Sequence, residues 1–450
     1  MRKTLVIVLA KSRCQDYIIP DSCFIVIVYQ GFLQCRKKAF PESNLPPDIQ
    51  EKADRMNLEE SLVPPFKILP LPFTADTPAV QCSAARKQVL ETFTEKLYGK
   101  IPPRCQELKF ILRSSGTAFN GLAERREIDI VCANNGISRT LHMLLYLPVD
   151  RKEDIPCFLG LNFTGNHATT FDPEVTFFPF TRKNHPSPWL HDGRADENQR
   201  GSKADRWEFE RVVKAGFASA TICMFDAFPD FPEGFAESIM PMFYSAEEWD
   251  SPSRPSGAIS AWVWGLMRGI DALEVQSGID PHKIIVHGLS RQGKTAIWAG
   301  ANDPRIAMTA SICSGTCGAK MSRRYFGENI EWLDQWRKYW FVPSFENFIG
   351  KDTVMPFDQH QLMALIAPRK LYVASASNDP YADPLGEHLA TVCASAAWGT
   401  DGLAPDTPFP ADSSGQGENA VRYYLRKGEH ACTPENWEDL LKFAALHFLQ

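Results

Sequence analysis

Hydrophobic positions in the first half of the chain follow patterns typical of β-strands. Residues 128–131 and 140–147 carry alternating or continuous apolar side chains, and the Asn-Asn-Gly sequence at 134–136 between them predicts a hairpin turn. Residues 156–163 are a continuous apolar run of the length expected for a buried strand. The pattern therefore predicts a sheet that begins with an antiparallel hairpin.

From about residue 206 onward, apolar runs alternate with stretches of helical periodicity, which indicates parallel β-α units. The fold class expected is α/β, a three-layer sandwich with a mostly parallel central sheet and an antiparallel entrance hairpin. Further strands are predicted at about 218–224, 283–287, 306–312, 370–376 and 421–425, and helices at about 84–98, 206–214, 257–276, from 292 and 435–449.

The N-terminal residues do not fit this pattern. Arg2 and Lys3 precede a six-residue apolar run that Lys11 ends, and no small-residue cleavage site follows. We interpret residues 1–45 as an extension, either a degenerate signal or a mis-called start. The proline-rich stretch at 46–75 predicts an extended strap over the fold, and residues 46–450 are predicted to form a single domain.

Composition narrows the function classes. The chain has 450 residues, 44% hydrophobic and 23% charged, with a net charge of −6 from 48 basic and 54 acidic side chains. These values are typical of a globular protein and give no basic excess for nucleic acid. Twelve cysteines include no Cys-x-x-Cys pair and no zinc-ligand spacing, so a structural metal site is not expected. Cys313 and Cys317 are either a short disulfide or, as we favour, two buried thiols.

One segment, residues 283–296, supports two chemical interpretations. Gly288 to Thr295 fits the phosphate-binding pattern G-x-x-x-x-G-K-[ST] between a strand and a helix. The same turn fits a nucleophile elbow that exposes Ser290, although Gln292 stands where the strict G-x-S-x-G form has glycine. Several strands precede this segment, whereas a phosphate-binding loop normally comes early in its sheet. The context therefore favours the elbow.

Two later residues complete the order expected of an α/β-hydrolase, which is serine, acid and then histidine. Asp379 follows the strand at 370–376, and His430 follows the strand at 421–425. Alone, Ser290 would be an ordinary helix N-cap, Asp379 a turn former and His430 one of ten histidines. Their joint placement after three strands predicts a Ser290–Asp379–His430 triad.

The elbow sequence, with further segments over residues 60–450, resembles the glucuronoyl esterases, a family of carbohydrate esterases. The family's Gly-x-Ser-Arg-x-Gly-Lys run is matched by Gly288, Ser290, Arg291, Gly293 and Lys294. The other similar segments are 161–167, 258–265, 322–328, 358–360, 367–369, 374–377 and 382–384. The resemblance implies an α/β-hydrolase fold and argues against the phosphate-binding interpretation.

The resemblance also implies roles for individual residues. Ser290 would be the nucleophile, His430 the base, and Arg291 would stabilise the oxyanion through its backbone N–H and guanidinium. The residues that would contact the sugar are Lys294 and Glu328, by hydrogen bonds to uronate hydroxyls, and Tyr381, by stacking where bacterial members often have tryptophan.

The sequence departs from the fungal members at the catalytic acid. Fungal enzymes carry the acid directly before a Ser-Gly pair, a position that is Cys313 in this chain. Asp379 matches the alternative position used by some bacterial members, and Asp383 is the reserve candidate. Leu289 and Ala431 occupy the positions of a fungal disulfide, so this bridge is not expected. The bacterial branch is the closer match.

The resemblance implies a serine-type esterase that cleaves (4-O-methyl-)glucuronoyl esters between xylan and lignin alcohols through an acyl-enzyme, without metal or cofactor. An acetylxylan esterase-type deacetylase and a non-catalytic carbohydrate-binding homologue remain alternatives. The expected partner is a glucuronoxylan-type ester, with no nucleic acid and no membrane, and the protein is expected to be a monomer. Family members imply a periplasmic or secreted location, although residues 1–45 give no convincing signal peptide.

Overall fold

The computed structural model describes residues 56–179 and 195–449. The predicted N-terminal extension and part of the loop at 168–205 lie outside the described residues. Ten strands form one sheet in the order β1-β2-β3-β5-β4-β6-β7-β8-β10-β9. The strands are β1 Glu107–Ala118, β2 Ala123–Asn134, β3 Ile137–Pro148, β4 Ile155–Asn162, β5 Ala218–Cys223, β6 Ile279–Leu289, β7 Ile306–Ile312, β8 Lys370–Ala376, β9 Ser414–Gln416 and β10 Val421–Arg426.

Eleven α-helices connect or flank the strands in the described part of the chain. They are α1 Ala79–Phe93, α2 Ala204–Trp207, α3 Phe209–Lys214, α4 Met224–Ala227, α5 Ala246–Trp249, α6 Ala258–Leu273, α7 Arg291–Asn302, α8 Ile330–Arg337, α9 Gln359–Ala364, α10 Pro384–Ala394 and α11 Pro434–Phe448. None of the helices in the described ranges is long and apolar enough to cross a membrane.

The antiparallel entrance to the sheet is confirmed. Strands β2 and β3 pair in antiparallel register up to Asn134 and Ile137. Asn135 and Gly136 join them with φ values of 51° and 77°, the left-handed backbone that a tight two-residue hairpin turn requires. The hairpin is longer than the sequence pattern indicated, and β1 adds a further antiparallel strand at the edge.

The parallel half of the sheet consists of six adjacent strands, β5, β4, β6, β7, β8 and β10. Their continuous apolar runs reflect burial on both faces of the sheet. In β6, Ile284 and Val286 belong to the core cluster that includes α6 and α7, whereas Ile285 faces the cluster that includes α11. These two cores make the three-layer sandwich that the alternation predicts.

The described part of the proline-rich strap lies against the helical layer. The backbone carbonyls of Leu69 and Pro70 accept hydrogen bonds from His360 and Gln361 in α9, at 2.8 and 2.9 Å. Arg323 donates to the Lys67 carbonyl at 3.2 Å. The predicted strap is therefore confirmed at residues 67–70, whereas Glu60–Leu62 form a short 3-10 helix.

Two expectations about local structure were wrong in detail. The helix predicted at 206–214 is broken into α2 and α3 at Glu208, which has a left-handed φ of 44°. The helix predicted at 84–98 starts at Ala79, and its last turn, Thr94–Tyr98, widens into a π-helix. Both differences lie outside the parallel strands whose ends carry the predicted site.

Candidate active site

Ser290 lies at a sharp turn between β6 and α7. Its backbone has φ 59° and ψ −127°, a strained conformation for a residue with a side chain, and α7 begins at the next residue. The Ser290 N–H donates to the carbonyl of Ile312 at the end of β7 at 2.8 Å. This strand-turn-helix geometry is that of a nucleophile elbow.

The spacing of the two elbow glycines follows from close packing at the turn. A Cβ on Gly288 would lie 2.2 Å from the carbonyl oxygen of Gln292, and one on Gly293 would lie 2.9 Å from Ser311 Oγ. The turn therefore requires glycine at 288 and 293, while position 292 accepts a buried glutamine. This explains why the strict G-x-S-x-G form fails here.

The predicted acid and base lie in neighbouring loops after β8 and β10. The backbone of the two loops is joined by hydrogen bonds from Ser377 N to Arg426 O at 2.9 Å and from Asn378 N to Gly428 O at 2.8 Å. Asp379 is buried, and its Oδ2 lies 2.6 Å from Nδ1 of His430. The structure thus brings together two members of the predicted triad. No hydrogen bond joins Ser290 Oγ to His430 within the described residues.

The environment of His430 tunes its proton affinity. Burial in the site acts to lower the pKa of His430, but the carboxylate of Asp379 outweighs it and raises the pKa above the ordinary 6.5. The His430 side chain is still 43% exposed, so it can reach a bound molecule. A base with this partner keeps one tautomer, because the Asp379 carboxylate accepts a hydrogen bond from the N–H at Nδ1.

The reserve acid, Asp383, is committed elsewhere. Arg324 Nε donates to both of its carboxylate oxygens at 3.0 and 2.9 Å, and the Gly386 N–H at the start of α10 donates to Oδ1 at 3.0 Å. The structure therefore pairs Asp379, and not Asp383, with His430.

The three residues predicted to contact the sugar lie beside the acid and base. Lys294 is buried, and its Nζ donates to Ser314 O at 2.6 Å and to Glu328 Oε2 at 3.0 Å. The Glu328 N–H donates to the backbone carbonyl of Tyr381 at 2.9 Å. Lys294 and Glu328 also influence the pKa of His430. The lysine is held within the fold, which contradicts the phosphate-binding interpretation.

Comparison with known proteins agrees with this geometry. A family model described as glucuronyl esterase of fungi matches residues 244–400. Carbohydrate esterase MZ0003, from an unknown prokaryotic organism, is 35% identical over 412 residues, which cover 89% of this chain and 94% of that protein. The chain belongs to the glucuronoyl esterase family of carbohydrate esterases.

Both bacterial and fungal members of the family are similar to this chain. The solved glucuronoyl esterase from Solibacter usitatus is 34% identical, with a TM-score of 0.79, and 86% of this chain and 99% of that chain are covered. The 4-O-methyl-glucuronoyl methylesterase of Podospora anserina is 44% identical over 131 residues, 27% of each chain. The protein is therefore a carboxylic ester hydrolase with the α/β-hydrolase fold of its family.

Cys313, which follows the end of β7, is confirmed as a buried thiol. It has a left-handed φ of 46° and no disulfide partner, and Cys317 is likewise a free thiol. Burial and the nearby Asp379 carboxylate raise the pKa of Cys313 well above its ordinary value, so the group is a neutral thiol. A neutral thiol cannot stabilise a charged imidazolium as a carboxylate does.

One group of three potential metal ligands occurs within the described residues, 56–179 and 195–449. It consists of Cys313, Asp379 and His430, whose ligand atoms lie within 4.8 Å of one another. Two of these atoms, Asp379 Oδ2 and His430 Nδ1, already share the 2.6 Å hydrogen bond, and the third belongs to the neutral thiol. Metal ligands have to be deprotonated. The donor set therefore fits an acid–base pair better than a metal site.

A buried carboxyl group that sequence reasoning missed supports the same loops. Glu387 in α10 is fully buried and accepts hydrogen bonds from Ser314 N at 2.8 Å, Gly315 N at 3.0 Å and Ser375 Oγ at 2.6 Å. Burial raises the pKa of Glu387 to about 7. A glutamate on a helix normally lies at the surface, and the sequence signal was its place in a helix whose other residues, apart from His388, are apolar or small.

Proposed function

We propose that this protein hydrolyses esters of glucuronate, including 4-O-methylated glucuronate on xylan, with an alcohol of the lignin type. The observation that carries the proposal is the 2.6 Å pair of His430 and Asp379. These residues lie in the loops after β10 and β8, which are three and two strands from the β6 strand that leads into the Ser290 elbow. The names of the Solibacter usitatus and Podospora anserina relatives support glucuronate as the acyl group. We also propose that residues 46–450 act as one catalytic domain.

The proposed reaction proceeds through an acyl-enzyme. Ser290 Oγ attacks the ester carbonyl while His430 accepts its proton, and His430 then returns the proton to the departing alcohol oxygen. A water molecule then attacks the carbonyl of the acyl-enzyme while His430 accepts its proton. His430 returns this proton to Ser290 Oγ, which releases free glucuronate and restores the enzyme. Asp379 holds the Nδ1 proton of His430 and stabilises the imidazolium that forms at each step.

Arg291 and the pair of Lys294 and Glu328 are proposed to serve the transition state and the sugar. Arg291 stabilises the oxyanion, and loss of one such donor typically costs ~3 kcal/mol of transition-state stabilisation. Lys294 and Glu328 offer a cation and a carboxylate side by side, which suits the hydroxyl groups of a uronate ring. Tyr381 is half-buried, and its backbone carbonyl accepts the hydrogen bond from the Glu328 N–H.

A fluorophosphonate probe tests the nucleophile. We expect the probe to label the protein and the label to be lost in Ser290→Ala. Comparison of benzyl glucuronate with an acetylated xylan oligomer then tests the acyl group. Faster turnover of the acetylated oligomer would support a deacetylase instead, and an absence of labelling would support a non-catalytic homologue.

A further inference from the structure

A buried aspartate outside the predicted triad contacts the residue proposed to stabilise the oxyanion. Asp230 follows α4 and is 2% exposed. Its Oδ2 accepts a hydrogen bond from Arg291 Nη1, and its Oδ1 accepts hydrogen bonds from Tyr339 Oη at 2.7 Å and from Trp340 Nε1 at 2.8 Å. One carboxylate thus joins Arg291 to two buried aromatic side chains.

The Arg291 guanidinium is fixed on its faces as well as at its edge. Its carbon lies 5.0 Å from the centre of the Trp340 ring and 5.7 Å from the centre of the Phe163 ring. The Trp340 ring is in turn held by its own hydrogen bond to Asp230. The same carboxylate therefore orients both the charged group and one of the rings that flank it.

The N–H groups of the Arg291 guanidinium differ in whether they already make a hydrogen bond within the protein. Nη1 is committed to Asp230, whereas Nε is buried without a hydrogen-bond partner among the residues that the structure describes. The Arg291 side chain as a whole is 20% exposed, so the edge of the guanidinium that Asp230 does not hold is open to an oxygen atom of the bound ester.

We propose that Asp230 is a positioning residue that holds the Arg291 guanidinium in the orientation in which it stabilises the oxyanion. The inference rests on the proposed function. Oxyanion stabilisation is effective when its donors are fixed before the reaction, because no reorganisation is then needed as charge develops. Without its anchor, the long arginine side chain would regain rotamer freedom and lose that advantage.

The test is Asp230→Asn, which keeps the size of the side chain but can turn an amide N–H toward Arg291 Nη1. We expect kcat per active site to fall about 10- to 100-fold, less than the ~10²–10³-fold typical when an oxyanion donor is removed outright. KM for benzyl glucuronate should change less, because the interaction is made in the transition state. Unchanged kcat per active site would overturn the proposal.

A double-mutant cycle separates positioning from general damage to the fold. If Asp230 acts through Arg291, Asp230→Asn should not lower kcat further in an Arg291→Ala background. An equal fall in kcat in both backgrounds would overturn the proposal. If Asp230→Asn does not fold, Asp230→Glu replaces it in the cycle, with a smaller fall in kcat expected because the carboxylate is retained but displaced.

A matched control is available at the far end of α7. Asp303 is also buried and paired with an arginine, Arg305, with Asp303 Oδ2 at 2.7 Å from Arg305 Nη2. Asp303→Asn should lower stability without changing kcat per titrated active site. If the unaltered protein neither takes the probe nor turns over the ester, the proposed function and this inference both fail. If the unaltered protein turns over the ester and Asp230→Asn has the same kcat per active site, the inference fails and the proposed function stands.

Discussion

Asp379 and Asp383 are buried aspartates four residues apart in one loop, yet their surroundings give them opposite roles. Asp379 faces His430, whose ring is partly exposed to the site. Asp383 faces Arg324, caps α10 and has Lys320 nearby, all in the interior. Burial raises the pKa of Asp383, although the two cations oppose this effect.

The difference shows that a carboxylate becomes a candidate acid through its partner. A partner that is always charged, such as Arg324, leaves no proton to share, whereas a histidine changes its charge near neutral pH. Both aspartates satisfied the order of serine, acid and histidine in the sequence. Only the contacts of their side chains distinguish a group that serves proton transfer from one that stabilises the fold.

The largest effect expected from this comparison is the loss of turnover in Asp379→Asn. The amide can place an N–H toward His430 Nδ1, which favours the wrong tautomer of the base, so kcat should fall on the order of 10³–10⁴-fold. The measurement is turnover of benzyl glucuronate, normalised to the fraction that a fluorophosphonate probe can titrate. If Asp383→Asn loses turnover instead and Asp379→Asn retains it, the assignment of the acid is wrong.

The second prediction concerns stability at Asp383. Asn keeps the capping acceptor for Gly386 N and tolerates the left-handed φ of 55°, so Asp383→Asn removes mainly the ion pair with Arg324. Breaking a buried pair typically costs ~3–5 kcal/mol. Glu60 also bonds Arg324, so we expect the lower end of this range in the free energy of unfolding by urea, with kcat per active site retained. A variant as stable as the unaltered protein would contradict the role assigned to Asp383.

Glu387 extends the comparison to a buried carboxyl group that is surrounded by neutral hydrogen-bond donors and by the Asp379 carboxylate. Its pKa is raised from the ordinary 4.5 to about 7 in the folded protein. Between pH 4.5 and pH 7, the folded state therefore holds a proton that the unfolded state has released. Stability therefore falls as pH rises through this window, by about 3 kcal/mol at pH 8 relative to pH 4.5. The neutral Glu387→Gln variant should lose this dependence, as measured by urea unfolding at both pH values. Parallel pH profiles for the two proteins would contradict it.

The sequence was most informative about the parallel strands and the loops that follow them. Strands β7 and β8 have the predicted bounds, because a strand buried on both faces appears as a continuous apolar run. The edge strand β1 was not predicted individually, since Ile111 and Leu112 are exposed and blur the alternation of apolar and polar positions. A strand at an edge is specified by its neighbour more than by its own pattern.

The site was predictable where a motif fixed the backbone and was not where tertiary contacts decide. Ser290 followed from the elbow, and Asp379 and His430 followed from their places after strands. Asp230 stands in a proline-rich stretch that indicates only a turn, and its contact with Arg291 spans 61 residues of sequence. Such long-range partners leave no local pattern, so a single sequence cannot reveal them.

The smallest expected effect is a shift of the acid limb of the pH profile, and it isolates the pairing of Asp379 with His430. The acid limb of kcat/KM reports the base of the free enzyme, which must be neutral to accept a proton. The pKa of His430 is above 6.5, so activity should fall as pH drops through a value higher than that of free histidine. In Asp379→Asn the opposing effect of burial prevails, and the limb of the residual activity should move to lower pH. Asp383→Asn should leave the acid limb in place. An acid limb that moves in Asp383→Asn, or that stays fixed in Asp379→Asn, would show that the roles of the two aspartates were assigned wrongly.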